Sequence, residues 1–261
     1  MDTSTLDEVS RWLLGPVAGA RSHSLPPWLY WHARMMVLAW DVMLPLGILA
    51  ARLLKIPRPK LWPGQLDSKL WWRSHIVLQC SGVIVMTAGV SMVLGHGYSE
   101  TLLVSLHRCA GWCLVFAGWL QIFGGLLRGT KGGPTAARLR GDHYDMTRRR
   151  VIFEYVHKLV GWLTITLILV ATTIGLFIVD APRWMWITLA IWWIGLIAGF
   201  LGLQRAGCCF DTYEAIWGPN PVHPGNARVP IGWGVRRIGH TACISSREAH
   251  HGSHPAGMQD E

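Results

Sequence analysis

Charge is scarce in this chain. Asp, Glu, Lys and Arg make up 15% of its 261 residues, against 51% hydrophobic residues and 16 tryptophans. With a mean hydropathy of +0.30, that composition belongs to membrane proteins rather than soluble domains. A regular cysteine framework is also missing. The six cysteines include no CxxC spacing, which excludes zinc ribbons, thioredoxin-type motifs and disulfide scaffolds. Cys80, Cys109 and Cys113 fall in apolar runs, while Cys208, Cys209 and Cys243 lie near the C-terminus. Cys109 and Cys113 share a helix face at i,i+4, where packing as small hydrophobes is favoured over thiolate chemistry. The N-terminus lacks the basic region of a secretory signal: it carries Asp2, Asp7 and Glu8, and the apolar run from Trp12 is broken by Gly15 and Pro16. Residues 1–28 therefore read as an interfacial or soluble arm.

Five apolar runs are present, at about 29–54, 71–95, 102–127, 151–179 and 184–204. Each approaches or exceeds the roughly 20 residues that a membrane-spanning helix needs. The net charge of +9 sits in the connections, so it gives no nucleic-acid face. Residues 52–73 carry six basic side chains against Asp67, and residues 128–158 carry eight against three acids. The intervening connections hold Glu100 alone and the pair Asp180 and Arg183. By the positive-inside rule the basic connections are cytoplasmic, the N-terminus outside and the C-terminus inside. From Arg205 onward no period survives. Residues 205–261 read as a disordered cytoplasmic tail, whose His250, His251 and His254 could bind metal only weakly.

Histidines stand at or near the first turn of four consecutive runs: His32, His75, His107 and His157. An ionisable residue within a span is costly and marks a functional candidate. Alternation of span direction puts His32 and His107 near one membrane face, and His75 and His157 near the other. The simplest occupant of each pair is a b-type haem with two axial histidines. Such ligation leaves no open iron position, which suits electron transfer.

The segments HRCAGW (107–112) and HKLVGW (157–162) echo one another, with a glycine four residues after each histidine. Gly111 and Gly161 thus share a face with the histidines, one turn deeper. Two readings stand: clearance for a macrocycle, which is favoured, or close helix packing. Arg108 and Lys158 follow the two histidines, and both snorkelling to headgroups and pairing with haem propionates fit them. Arg34 and Arg73 can serve similarly. Asp41 lies nine residues after His32 and faces away from the haem side. It reads first as an acid paired with a polar group of another helix, and second as a proton- or quinol-binding group. His96 reads as an interfacial histidine. His143 and His23 receive no role.

The region from about Trp31 to Leu203 resembles the cytochrome b561 transmembrane domain family, in the core form often fused to a DOMON module. The motifs that carry the resemblance are HARMMVLAWDVMLPLGILAA (32–51), SHIVLQ (74–79), SLHRCAGWCLVFAGWLQ (105–121) and EYVHKLVGW (154–162). The resemblance implies two b haems ligated from the first with the third helix and the second with the fourth. His32 and His107 would then ligate the outer iron, and His75 and His157 the inner one. This chain departs from the family in three ways. Ile76 replaces a basic residue common after the second-span histidine, which leaves Arg73, Arg150 or Lys158 as inner propionate partners. No DOMON module is attached, and five spans stand where many relatives have six.

The expected fold is an all-α membrane protein, with residues 29–204 forming a four-helix haem-binding bundle plus one covering helix. The expected function is transmembrane electron transfer by a di-haem b-type cytochrome, driven by a quinol or an ascorbate-like donor. Two alternatives are a membrane cytochrome subunit serving a separate periplasmic redox partner, and a haem-free transporter or scaffold. Lipid and a second copy of the chain, in a homodimer, complete the expected partners; the expected location is a bacterial inner membrane. The cluster of Arg148, Arg149, Arg150, Lys158 and Arg73 has two standing explanations, docking of an anionic donor and orientation alone.

Overall fold

The computed structural model describes residues 3–19, 25–57, 61–97, 99–133 and 137–238. His23, Cys243 and the histidines of the C-terminal end lie outside the described residues. Five helices are long and apolar enough to cross a membrane: Pro27–Leu53, Leu70–Ser91, Leu102–Leu127, Arg148–Ile178 and Arg183–Arg205. Among the described residues there is no strand, only two isolated β-bridges. The chain is an all-α integral membrane protein.

Local chemistry explains where the helices start. Pro27 opens the first at a position where a fixed φ and a missing N–H cost nothing. The Thr101 and Thr147 side chains cap the third and fourth by accepting the Val104 and Arg150 amides. The first helix widens to π geometry over Val37–Met43. Pro45 follows, and it cannot donate to the carbonyl of Asp41 one turn back. The Trp192 indole of the fifth helix donates to that carbonyl instead, at 2.7 Å.

The first four helices form a closed bundle in which each packs on its sequence neighbours and the fourth returns to the first. The first and third, like the second and fourth, therefore lie diagonally across it. Ala39, Trp40, Leu44, Val83, Met86, Ala110, Leu114, Ile168 and Ala171 fill its centre. Glycines bring the first two helices close. A Cβ at Gly82 would lie 2.9 Å from Leu44 Cδ2, and one at Gly89 would lie 2.9 Å from Met35 Cβ. The fifth helix lies against the first and has no buried residue. Outward, Phe116, Leu126, Leu163 and Ile194 are 60–75% exposed, a surface that needs lipid rather than water.

At the N-terminus, residues 3–14 form a helix that packs against the fifth. Arg183 donates its amide to Gly15 O at 3.1 Å, and Asp180 accepts the Ala18 amide at 2.7 Å. The sequence suggested a disordered tail from residue 205, yet the chain is packed as far as Ile238. Cys209, Phe210, Tyr213, Glu214 and Ile216 are each no more than 4% exposed. No period announced this cap because bonds between side chain and main chain, rather than a long helix, hold it. Lys55 donates to Phe210 O at 2.9 Å, and Glu214 accepts the Ile238 amide at 2.7 Å. Burial pushes the Lys55 ammonium down to about 8.

His143 sits in the cap, 6% exposed and stacked on Tyr213 with ring centroids 4.6 Å apart. Burial, and then the charges of Arg150, Arg128 and Lys131, push it down to about 2. It stays neutral when folded and takes a proton when unfolded near its ordinary value of about 6.5. Its contribution is complete above pH 6.5 and is lost progressively below it. Between pH 6.5 and 5 the loss is about 2 kcal/mol. His223, also lowered by burial, acts in the same sense. Hydrogen-exchange protection factors in residues 206–238, corrected for the slower intrinsic exchange in acid, should therefore fall at pH 5, and His143→Phe should remove most of that acid sensitivity. An equal acid response in the variant would mean that other groups govern it.

Candidate functional site

The four span histidines meet in pairs across the diagonals of the bundle. His32 and His107 have ring centroids 6.3 Å apart at an interplanar angle of 80°. His75 and His157 stand 6.1 Å apart at 79°. Three of the four are oriented by backbone carbonyls. His32 Nδ1 donates to Gly89 O at 2.9 Å, His75 Nδ1 to Gly47 O at 3.0 Å, and His107 Nδ1 to Ala171 O at 3.0 Å. A carbonyl only accepts, so each of these rings carries its proton on Nδ1 and keeps the Nε2 lone pair for a metal. His157 Nδ1 is buried without a partner; stacking on Phe153 at 5.1 Å positions that ring instead.

The spacing fits one metal between each pair. Two metal–nitrogen bonds of about 2.1 Å, plus about 1.2 Å from nitrogen to ring centre on either side, sum to roughly 6.5 Å. Among the described residues no group of three or more His, Cys, Asp or Glu side chains could hold a metal ion. Two imidazoles suffice only where a macrocycle supplies the remaining donors, as haem does. Room is present beside the histidines. A Cβ at Gly111 would meet nothing within 4 Å, and one at Gly161 would meet only the Gln121 amide, at 3.6 Å.

Two glutamines that end the sequence motifs turn out to staple helices together. Gln79 Nε2 donates to Leu44 O at 2.9 Å and Gln121 Nε2 to His157 O at 2.8 Å. Gly175 was not apparent in the sequence, although a Cβ there would lie 3.1 Å from His107 Cε1. The signal available was a glycine in a helix interior, which costs about 1 kcal/mol relative to alanine.

The candidate cations are differently engaged. Arg108 pairs with Glu100 at 2.7 Å on an exposed surface, where such pairs contribute little. Arg73 is exposed. Arg150 and Lys158, expected to face propionates, both meet Glu154, at 3.7 and 2.6 Å. Glu154 lies four residues from each, so all three share one helix face. Lys158 takes Oε1, while Oε2, the oxygen nearer Arg150, accepts from the Tyr213 hydroxyl at 2.7 Å. Burial and the Glu154 charge push the Tyr213 phenol up, which keeps its proton in that bond. Arg149 donates to Leu127 O. The sequence reading passed over Arg128, which lies over the Trp72 ring at 6.0 Å and within electrostatic reach of His75.

Asp41 is fully buried and stands where the first, fourth and fifth helices meet. Trp193 Nε1 donates to its Oδ1 at 2.9 Å and the Thr172 hydroxyl to its Oδ2 at 3.1 Å. His96 stacks on Trp28 at 4.6 Å. His143 and His223 belong to the aromatic core of the cap, with Tyr144, Tyr213 and Trp217.

Comparison with known proteins gives relatives of one kind. The chain is 29% identical over 178 residues to a cytochrome b561, DM13 and DOMON domain-containing protein of Arabidopsis thaliana, a match that covers 67% of this chain and 17% of the relative. Two cytochrome b561 and DOMON domain-containing proteins of the same plant are 28% and 27% identical over 61% and 59% of this chain. The chain covers 34% and 33% of their length. No family model and no solved structure matches. These similarities support the cytochrome b561 family at a coarse level.

Proposed function

We propose that this chain is a di-haem membrane cytochrome of the b561 type that carries electrons from one membrane face to the other. In this reading His32 and His107 hold one haem b, and His75 and His157 hold a second. The observation that carries it is the pair of diagonal histidine contacts, 6.3 and 6.1 Å between ring centres. When bound, the haem iron supplies reversible one-electron oxidation and reduction. The chain's own residues do the rest. Gly47, Gly89 and Ala171 fix the imidazole orientation through their carbonyls. Gly111 and Gly161 leave clearance. The apolar layer around Trp40, Met86 and Leu114 keeps water from the path between the pairs. Arg128 joins Arg73 and Arg108 as a candidate propionate partner, because Glu154 already engages Arg150 and Lys158.

The donor proposed is a quinol or an ascorbate-like reductant, and the acceptor an outer ferric compound or a periplasmic redox partner. The positive-inside rule supports a cytoplasmic position for the His75–His157 pair, and a bacterial inner membrane is the location proposed. Reporter fusions after Glu100 and after Gly141 should therefore report opposite compartments, the former outside. An outside signal at Gly141 would exchange the inner and outer pairs.

The function is tested in sealed proteoliposomes with ferricyanide trapped inside and ascorbate or a quinol outside. Loss of ferricyanide colour at a rate proportional to the haem-loaded protein is the expected result. A purified protein without a haem band would leave the histidines as polar groups of a transporter or scaffold. Haem reduced by a partner protein but by neither small donor would make the chain a cytochrome subunit.

A further inference from the structure

Asp41 occupies a depth at which no other residue of its charge class is found. No Asp, Glu, Lys or Arg occurs at 35–40, 42–51, 74–99, 109–127, 159–179 or 184–204. Its carboxyl receives the Trp193 indole at 2.9 Å and the Thr172 hydroxyl at 3.1 Å. Its carbonyl, to which Pro45 cannot donate, receives Trp192. No basic group pairs with it among the described residues. No titratable side chain of the second, third, fourth or fifth helix faces it among those residues.

These surroundings oppose one another. Removal from water without a cation disfavours the carboxylate, whereas two donors aimed at its oxygens favour it. A site balanced in this way responds to small changes in local potential. Asp41 lies nine residues from His32 and six from Gly47, whose carbonyl holds His75, or roughly 13 and 9 Å along the helix. One electron added about 10 Å away, at an effective dielectric near 20, changes a carboxyl's proton affinity by about one pH unit.

We infer that Asp41 is a redox-linked proton-binding site at mid-membrane. It takes one proton from the aqueous phase, becoming the neutral acid, as an electron from the donor converts iron(III) to iron(II) at either histidine pair. It releases that proton when the electron leaves. The site thus adds charge compensation to electron passage, and the inference rests on the haem reading proposed above. Its competitor is purely structural: a hydrogen-bond acceptor that pins the fifth helix to the bundle.

The test uses the haem-loaded protein with redox mediators at an electrode, and reads the midpoint potentials against pH together with the redox-difference infrared spectrum. The native protein should show pH-dependent potentials and a carboxyl C=O difference band that moves on isotope labelling of aspartate. Asp41→Asn keeps one acceptor oxygen for Trp193 and turns an amide donor toward the Thr172 hydroxyl oxygen, which can accept it; it should abolish the band and flatten the pH dependence at unchanged haem content. Thr172→Val removes one donor to the anion and should move the bend in the pH profile upward by about one unit. An unchanged pH dependence in Asp41→Asn overturns the proposal and leaves the structural role. Should that variant fail to bind haem, the labelled native protein and Thr172→Val decide. A labelled band displaced in Thr172→Val supports the proposal, and no aspartate band in the native protein overturns it. Haem content by pyridine haemochrome reports separately on the haem reading. A colourless protein defeats that reading, whereas two haems with pH-independent potentials defeat this inference alone.

Discussion

His75→Ala should lower the haem content from about two to about one per chain and stop electron passage between the membrane faces. The substitution removes the imidazole that stands 6.1 Å from His157 and its bond to Gly47 O. Within the diagonal arrangement no other described histidine is placed to replace it: His143 is held in the cap by Tyr213, and His96 by Trp28. The haem of the His32–His107 pair should remain low-spin, because its ligands, their carbonyl partners and the central apolar layer are untouched. His32→Ala should produce the complementary loss. His96→Ala should leave both haems in place. Pyridine haemochrome against protein concentration, with the low-spin optical band as a second readout, checks all three. Two low-spin haems in His75→Ala, or a haem lost in His96→Ala, would refute the assigned pairing.

The second large effect is expected at Glu154, which is 5% exposed and serves Arg150, Lys158 and Tyr213 together. Glu154→Ala leaves the 6%-exposed Arg150 buried without its carboxylate. Removing one partner of a buried pair costs about 3–5 kcal/mol; the 3.7 Å separation from Arg150 and the partly exposed Lys158 argue for about 3. The loss should fall on the junction between the fourth helix and the cap. Residues 206–238 should lose hydrogen-exchange protection before the bundle does, and thermal unfolding should begin at a lower temperature. Glu154→Gln keeps an acceptor for the Tyr213 hydroxyl and should fall between the variant and the native chain. Unchanged cap protection in Glu154→Ala would show that the Lys55 and Glu214 contacts suffice without it.

The helices were legible because lipid imposes a minimum length on an apolar run. All five runs reappear as helices, with the second ending at Ser91 where the sequence suggested 95. The meeting of the four histidines was legible from the same logic, since alternating direction fixes which ends share a level. Other features depend on residues distant in sequence. Thr172 and Trp193 reach Asp41 from 131 and 152 positions away, beyond any local period. The cap is likewise built from bonds such as Lys55 to Phe210, a separation of 155. Glu154 is a different case. Its spacing of four from both Arg150 and Lys158 was readable, but the basic residues drew attention as partners for a cofactor rather than for an acid.

The carbonyl bonds of the histidines bear on how the bundle is assembled. His32 is steered by the backbone of the second helix and His75 by that of the first, so each ligand of the leading hairpin is set by the opposite arm. His107 is steered by the fourth helix, within the trailing hairpin. Every pair then takes one imidazole from each hairpin. In the proposed di-haem reading the molecule consists of two half-moulds, neither able to grip a haem alone, and each iron, when bound, would act as a rivet between them. Two rivets at different depths would resist twisting and splaying in a way that one cannot, so the cofactors proposed to carry the electrons would also set the rigidity of the route between them.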